Sequence, residues 1–230
     1  MRVQEQLAFV LHRRNYSESS LLVEVFTREH GRIGLMARAA RGTRSALPAL
    51  LQPFQRLSID YAGSGELPLL RRAEPAGAAL LPLAEASLAG LYYNELLMRM
   101  LPRSDAHLRL FEDYDLALQA LLKPPSLAFS VRRFERRLLD ELGYGIDFRC
   151  DVDGAEIDLE QRYEVALERG FRLAAGGTGY SGNALRAIDG ETIPTAAELR
   201  ELRMLFKTLI RMHLTGEPLR SWSLMAELRG

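Results

Sequence analysis

The sequence has very little cysteine and lysine. Among its 230 residues there is one cysteine, Cys150, and there are two lysines, Lys123 and Lys207. A single cysteine cannot form an internal disulfide, and it cannot supply a thiolate-rich zinc site. Chains without disulfides are typical of a reducing compartment, so we expect a cytoplasmic protein.

Long apolar runs are missing as well. No stretch approaches the roughly 18 apolar residues that a transmembrane helix requires. The segment MRVQEQLAFVLHRR has no apolar region followed by a small-residue cleavage site. We therefore expect neither a membrane span nor a signal peptide. The hydrophobic share of 47% is sufficient for the core of one or two domains.

Positive charge is almost entirely arginine and is unevenly distributed. The formal net charge is +0, but residues 1–80 contain 11 arginines against 7 acidic residues, and the remainder contains 19 basic against 23 acidic residues. Arginine makes bidentate contacts with phosphate and stacks on bases. The asymmetry indicates an anionic partner for the N-terminal part, although a GC-rich genome would also enrich arginine.

Alternating apolar residues predict strands in the first 75 residues. One face of these strands carries Leu21, Val23, Val25, Ile33, Leu35, Ala37, Leu57, Ile59 and Tyr61. Turn residues separate about five such strands, and Gly31 can supply a positive φ. The pattern predicts a five-stranded barrel of the OB-fold type over residues 1–80.

From about residue 83 the apolar period becomes that of helices. The first helix is expected to stop at Pro102, and caps are predicted at Asp105 and Ser126. A long helix is expected from about Thr195. Residues 146–180 are less regular and contain a predicted hairpin around residues 168–170. A short helix near SWSLMAEL closes the chain. We expect an α+β protein in which a mainly α-helical domain, residues 81–230, follows the barrel.

Motifs for catalysis and metal binding are incomplete. GGTGYSG at residues 176–182 lacks the lysine of a phosphate loop. GYSGN around Ser181 fails the nucleophile-elbow pattern, and DVDG at residues 151–154 lacks the later ligands of a calcium loop. The four histidines have no metal-ligand spacing. We expect no catalytic residue, no metal site and no cofactor.

Arginines are concentrated in the stretch NYSESSLLVEVFTREHGRIGLMARAARG and beside it. The candidate DNA-binding residues are Arg14, Arg28, Arg32, Arg38, Arg41 and Arg44. A basic groove that follows phosphates, with planar groups that stack on bases, is how OB-folds hold single strands. Tyr16, Phe54 and Tyr61 are the candidate stacking groups, with a place in the core as the equal alternative for Phe54. The alternative is that these arginines are solvent-exposed surface charges with no role in binding.

Five blocks of the sequence together resemble a known family. They are FVLHRRNYSESSLLVEVFTREHGRIGLMARAARG, SALPALLQPF, GLYYNELLMRML, RRFERRLLDELGYGIDF and GEPLRSWSLMAEL. In this order, and over nearly the whole chain, they resemble the RecO family of bacterial recombination mediators.

The resemblance implies a non-enzymatic protein with an N-terminal OB-fold and a helical C-terminal domain. It implies binding of single-stranded and double-stranded DNA and annealing of complementary strands. It also implies that the protein acts with RecR to load RecA on DNA coated by single-stranded DNA-binding protein (SSB). A monomer associated with the nucleoid would fit these roles.

One feature departs from many members of this family, which carry four cysteines after the LGYG segment and bind zinc there. Only Cys150 is present here, so the chain resembles the zinc-free branch. The irregular region at about residues 146–180 must then hold its shape by packing and hydrogen bonding.

The helical domain contains two candidate partner surfaces. Family members contact the acidic, phenylalanine-ended tail of SSB through this domain, and the RRFE block suggests Arg132, Arg133 and Phe134 as tail contacts. A second basic stripe consists of Arg200, Arg203, Lys207 and Arg211. That stripe is either a solvated helix face or a second DNA or SSB contact.

Two other function classes stay open at this point. An OB-fold RNA-binding protein with a helical partner-binding domain would show the same barrel and the same arginines. A hydrolase with an unrecognised site at Ser181 is the enzymatic alternative.

Overall fold

The computed structural model describes residues 2–38, 40, 45–63, 65, 67–78, 80, 84–122, 126–166, 169–190 and 194–222. These residues form two compact units. Unit 1 takes in the described residues of 1–122 and those from 217 onward, and unit 2 takes in those of 123–216. The predicted division at residue 80 follows the change from strand to helix. The division into compact units instead places the two helices of residues 84–100 and 108–120 in the same unit as the N-terminal strands.

Unit 1 is built on five strands. They are β1 (Arg2–Asn15), β2 (Leu21–Thr27), β3 (Gly31–Ala37), β4 (Arg56–Ala62) and β5 (Leu69–Pro75). They close into a barrel in the order β1-β2-β3-β5-β4. All neighbours are antiparallel except β3 and β5, which meet in parallel at Met36 and Leu69. This is the strand order of an OB-fold, and it confirms the predicted fold class.

The barrel core consists of the residues that the alternation predicted. Leu21, Val23 and Val25 of β2 all lie in one buried cluster. The inward residues of β3 and β4 join them there. Because successive strand residues point to opposite faces, the alternation places these residues together on the inner face of the three strands.

The outer face of the barrel is also partly covered. The helices of unit 1 are α1 (Leu47–Leu50), α2 (Ala84–Met100) and α3 (Leu108–Ala120). The ring of Phe111 in α3 lies 5.3 Å from the ring of Phe9 and 5.5 Å from that of Phe26. Asn94 in α2 donates to the carbonyl oxygen of Leu11 at 2.8 Å. Apolar residues on both faces of β1 and β2 therefore bind α2 and α3 to the barrel.

Unit 2 contains α4 (Leu127–Glu141), β6 (Arg162–Ala166), β7 (Gly170–Leu173), β8 (Tyr180–Ser181), α5 (Gly182–Ala187) and α6 (Ala196–His213). The predicted hairpin is present as the antiparallel pair β6 and β7. A three-stranded sheet in the order β7-β6-β8 results. The final predicted helix begins at residues 220–222, and residues 223–230 lie outside the described residues.

One of the two predicted helix caps is confirmed, because Ser126 accepts a hydrogen bond from the backbone N–H of Phe129. The long helix begins where it was predicted, and Thr195 caps it by accepting a hydrogen bond from the backbone N–H of Glu198. The prediction for Asp105 is wrong, because the N-cap residue of α3 is His107 and its side chain makes no capping bond. The segment around Asp105 instead runs beside the start of β3, where the N–H of Ser104 donates to the carbonyl oxygen of Arg32 at 3.0 Å.

The irregular region of unit 2 is organised around Phe148. Its ring lies 5.2 Å from that of Phe171 and 5.9 Å from that of Phe206. The guanidinium of Arg136 covers it at 4.6 Å. Nearby, one carboxylate oxygen of Asp151 accepts from two backbone N–H groups in the turn that follows. Aromatic packing and local hydrogen bonds thus hold this segment in shape.

No helix in the described part of the chain is both long enough and apolar enough to cross a membrane.

Candidate nucleic-acid interface

The outer face of β1, β2 and β3 carries exposed arginine at one end of the barrel. The strand register places Arg14 beside Leu22, and Leu22 beside Met36. The residues on either side of Leu22 belong to the core, so this row lies on the outer face. Arg14 is exposed, and so is Arg38, which directly follows β3. Within the described residues neither guanidinium has a hydrogen-bonding or ion-pair partner.

Arg28 lies at the turn between β2 and β3 and is already in an ion pair. Its guanidinium is 3.1 Å from the carboxylate of Glu112 in α3. Both side chains are largely exposed, with 40% and 61% of their surface accessible. Exposed pairs of this kind contribute little to stability and exchange readily. Arg28 can therefore still reach a phosphate, in competition with Glu112.

Arg32 is the most buried of the predicted DNA-binding arginines that the structure describes. Its guanidinium donates twice to the carbonyl oxygen of Leu101, at 3.1 and 3.0 Å. Burial and the neighbouring Arg103 lower the pKa of Arg32, and Glu24 opposes them. Arg32 therefore acts mainly as a link between β3 and the segment after α2.

Arg103 is a cation of this surface that the sequence did not reveal. Its guanidinium forms an ion pair with Glu24 of β2, and its side chain stays 45% exposed. Glu24 also faces Arg32 at 3.5 Å. One carboxylate therefore serves two guanidinium groups, and the cluster keeps a net positive charge. Arg103 follows Pro102, far from the strands in sequence, and no strand pattern marks it.

The remaining two predicted arginines, Arg41 and Arg44, lie outside the described residues. Their assignment to the DNA-binding surface stays a prediction.

Only one of the three candidate stacking groups is exposed. Tyr16 has 58% of its surface accessible, whereas Phe54 and Tyr61 are buried. Tyr61 belongs to the barrel core, and burial raises the pKa of its hydroxyl. Phe54 packs against α2, where a Cβ on Gly90 would lie 2.7 Å from its ring. The prediction of stacking is therefore wrong for Tyr61, and Phe54 takes the core position that was its alternative, because both rings pack in the interior of unit 1.

The predicted tail-binding residues of unit 2 have different environments along α4. Arg132 is almost buried, and its guanidinium lies 2.9 Å from the carboxylate of Glu135. It also donates to the carbonyl oxygen of Arg203 at 3.5 Å. Phe134 is part of the interior. Only Arg133 is exposed, with its guanidinium 5.9 Å from the ring of Phe129.

Ser181, the candidate nucleophile, makes structural contacts in this unit. Its hydroxyl donates to the carboxylate of Glu201 at 2.8 Å and accepts from the backbone N–H of Ala184 as the cap of α5. Burial acts to raise the pKa of Glu201, but hydrogen bonds from Ser181 and Arg162 outweigh it, so that this pKa is lowered. The bonds of Ser181 therefore connect the start of α5 to Glu201 of α6.

Metal ligands are not grouped in the part of the chain that the structure describes. No set of three or more histidine, cysteine or acidic side chains there is arranged to hold an ion. Cys150 is half-buried, and its backbone bridges to Glu156.

Comparison with known proteins matches this architecture over nearly the whole chain. The family described as "Recombination protein O N terminal" matches residues 1–79, and "Recombination protein O C terminal" matches residues 84–223. A protein named "DNA repair protein RecO" from Erwinia tasmaniensis is 41% identical over 227 residues, which cover 96% of this chain and 92% of the relative. Proteins of the same name from Xanthomonas campestris pv. campestris and Thiobacillus denitrificans are each 39% identical, over 99% of this chain and over 98% and 93% of their own lengths. The chain therefore belongs to the RecO family of DNA repair and recombination proteins.

Proposed function

We propose that this protein is a recombination mediator that binds single-stranded and double-stranded DNA and anneals complementary strands without catalysing a chemical step. The observation that carries the proposal is the cationic outer face of β1, β2 and β3. It combines the exposed Arg14 and Arg38 with the cluster in which Arg32 and Arg103 share one carboxylate. Arg28 lies in the turn between β2 and β3 of the same barrel. We propose that Arg41 and Arg44 extend this surface.

The chemistry of the surface favours backbone contacts over base recognition. Guanidinium groups bind phosphate oxygens of any sequence, and Tyr16 offers one ring for stacking. Annealing requires bases that stay available for pairing with a second strand. A protein that holds the strand through its phosphates leaves those base edges free.

The direct test is annealing of two complementary strands by the full chain in EDTA and without nucleotide. We expect annealing to proceed, because no phosphate loop or ligand cluster in the described residues would use either. Loss of activity in EDTA, or dependence on ATP, would contradict the proposal. Binding to DNA and RNA strands of equal sequence belongs to the same experiment, and preference for RNA would favour the alternative RNA-binding function.

The first mutational prediction concerns the salt dependence of DNA binding. Each phosphate contact on a single strand contributes about 0.7 to the slope of log affinity against log salt. Arg14→Gln/Arg38→Gln should therefore flatten this slope by about 1.4 and weaken binding to all sequences alike. Fluorescence anisotropy of a labelled oligonucleotide at several salt concentrations measures both effects.

The matched control for this pair is Arg71→Gln/Arg72→Gln. It removes the same charge from exposed positions of β5 in the same unit. We expect it to keep most of the wild-type slope. If both double variants flatten the slope equally, binding follows the overall charge of unit 1 and the proposed surface is not specific.

The family relationship also supports a place in a multiprotein reaction. We propose that the protein acts with RecR to load RecA on single strands coated by SSB, and that unit 2 contacts the acidic, phenylalanine-ended tail of SSB. Arg133 is the exposed guanidinium of the RRFE block. Arg132 and Phe134 would support this contact from within the unit.

The second mutational prediction separates tail binding from DNA binding. Arg133→Ala should cost about 1.5–3 kcal/mol of binding free energy for an acidic peptide that ends in phenylalanine, the range for hydrogen bonds to charged groups. Annealing of bare strands should persist. Anisotropy of the labelled peptide is the measurement, and Arg169→Ala, another exposed arginine of unit 2, is the control. Wild-type peptide affinity in Arg133→Ala would place the contact elsewhere.

A further inference from the structure

Helix α6 presents a cationic face that the proposed function does not use. Its buried side consists of Leu202, Leu205, Phe206, Leu209 and Ile210. Opposite them, Arg200, Arg203, Lys207 and Arg211 are all exposed. At about 100° per residue these four side chains fall within an arc of about 80°. They thus form one stripe along the helix and not a scattered set of charges.

The acidic residues of α6 lie away from the stripe. Glu198 belongs to the capping box at the N-terminus of α6. Glu201 lies at the flank, where it is bound by Ser181 and by Arg162, whose guanidinium is 3.0 Å away. No acidic residue of α6 lies within the exposed arc. Like charges at these spacings repel one another, and phosphates bound along the stripe would reduce this repulsion.

The dimensions of the stripe fit a nucleic-acid strand. Arg200 and Arg211 are eleven residues apart, which corresponds to about 16 Å along the helix axis. At about 3.4 Å of rise per nucleotide, the value for a strand with fully stacked bases, this length covers roughly five phosphates. Four cations distributed over that length can each reach a separate phosphate.

An acidic peptide fits this face less well than a strand does. A peptide with a hydrophobic end requires an apolar pocket beside the cation. The large apolar side chain in the exposed arc is Met204, which is 60% accessible and stands out from the helix. A phosphodiester backbone needs only cations at suitable intervals on an open surface.

We propose that the α6 stripe, Arg200, Arg203, Lys207 and Arg211, binds a second single strand of DNA while the barrel of unit 1 holds the first. The inference rests on the proposed annealing function. It gives that function a physical basis, because each strand is held through its phosphates on a cationic surface of a different unit. Repulsion between the two backbones is then reduced before any base pair forms.

The test is a bridging assay with the full chain. A biotinylated single strand is immobilised and bound by the protein, and capture of a labelled, non-complementary strand is then measured against salt concentration. Because the strands cannot pair, capture reports the second site alone. Arg200→Gln/Arg211→Gln should lower the affinity for the captured strand roughly tenfold and flatten its salt slope by about 1.4. Binding of the protein to the immobilised strand should change less than about twofold.

The matched control is Arg169→Gln/Arg172→Gln, which removes two exposed charges from the hairpin of the same unit. It should bridge like the wild type. Glutamine is a good helix former, so the α6 variant should keep its helix content, which circular dichroism verifies.

Three results would overturn the proposal. One is wild-type bridging by the α6 variant. Another is equal loss of the immobilised and the captured strand, which would indicate one continuous site. The third is an α6 variant that bridges normally but no longer binds an acidic peptide ending in phenylalanine. That result would assign the face to a protein partner. Failure of the wild type to bind the immobilised strand would instead contradict the proposed function itself.

Discussion

Replacing Gly31 with alanine is expected to destabilise unit 1 by about 2–5 kcal/mol. Gly31 begins β3 with φ at +64°, a left-handed conformation that costs a residue with a side chain about 1–2 kcal/mol. An added Cβ would also overlap the backbone carbonyl of Asp105. Backbone atoms cannot rotate away as the end of a side chain can, so the segment around Asp105 would have to move off β3.

The movement would disturb several contacts at once. The carbonyl oxygen of Gly31 accepts from the hydroxyl of Thr27 at 2.8 Å, and the N–H of Ser104 donates to Arg32. Arg103, in the same segment, supplies one cation of the proposed DNA-binding surface. We therefore expect weaker DNA binding together with the loss of stability.

Trp222, the single tryptophan of the chain, makes this prediction measurable, because it lies in unit 1. Urea unfolding followed by its fluorescence reports on that unit. Gly65→Ala is the control, since Gly65 has φ at +87° but open space around its Cβ position. The control should cost about 1–2 kcal/mol. Equal losses for the two variants would show that the overlap with Asp105 is relieved at little cost.

Replacing Arg132 with alanine is expected to destabilise unit 2 by about 3–5 kcal/mol, the usual cost of removing one partner from a buried ion pair. The guanidinium of Arg132 lies 2.9 Å from Glu135, and the two side chains are only 10% and 1% accessible. Without Arg132, the carboxylate of Glu135 stays buried but no longer has this guanidinium beside it. The variant should therefore unfold at lower urea concentration by circular dichroism.

A double-mutant cycle separates the effect of the charges of Arg132 and Glu135 from the effect of the volume that the two side chains fill. Arg132→Met/Glu135→Leu removes both charges and retains apolar volume, so its stability should lie near that of the wild type. If the double variant is as unstable as Arg132→Ala, packing and not charge accounts for the loss. The transition of Trp222 provides an internal reference, because that residue belongs to unit 1.

The loss of stability expected for Arg132→Ala affects how binding of the SSB tail should be tested. In Arg132→Ala, weaker peptide binding would combine loss of a contact with loss of fold. Arg133 is exposed, and its substitution avoids that combination. Peptide binding is therefore best compared in Arg133→Ala, with the stability of each variant measured first.

Local signals in the sequence were sufficient for most of the strands and helices, for the cap at Ser126 and for the helix start near Thr195. Leu21, Val23 and Val25 alternate at period two and lie in the barrel core. Ser126 and Thr195 cap their helices through bonds to backbone groups three residues away. Such interactions are confined to a few neighbouring residues, so they can be predicted without a tertiary structure. The same holds for the family blocks, which follow one another along the chain.

Non-local contacts account for the predictions that were wrong or incomplete. Asp105 has the right residue type for a cap, but its segment is hydrogen-bonded to the start of β3 through Ser104. Phe54 and Tyr61 have the right rings for stacking, but both are buried. In each case a partner distant in sequence outweighed the local preference.

The sequence by itself determined the strand alternation, the cap at Ser126, the excess of arginine in residues 1–80 and the family. The tertiary structure alone decided which of those arginines face solvent. Arg32 and Arg38 are six residues apart and belong to the same pattern. Arg32 is bound to the carbonyl of Leu101, 69 residues away, whereas Arg38 is exposed. Periodicity is a property of local backbone geometry, but the availability of a charge depends on what the folded chain brings next to it.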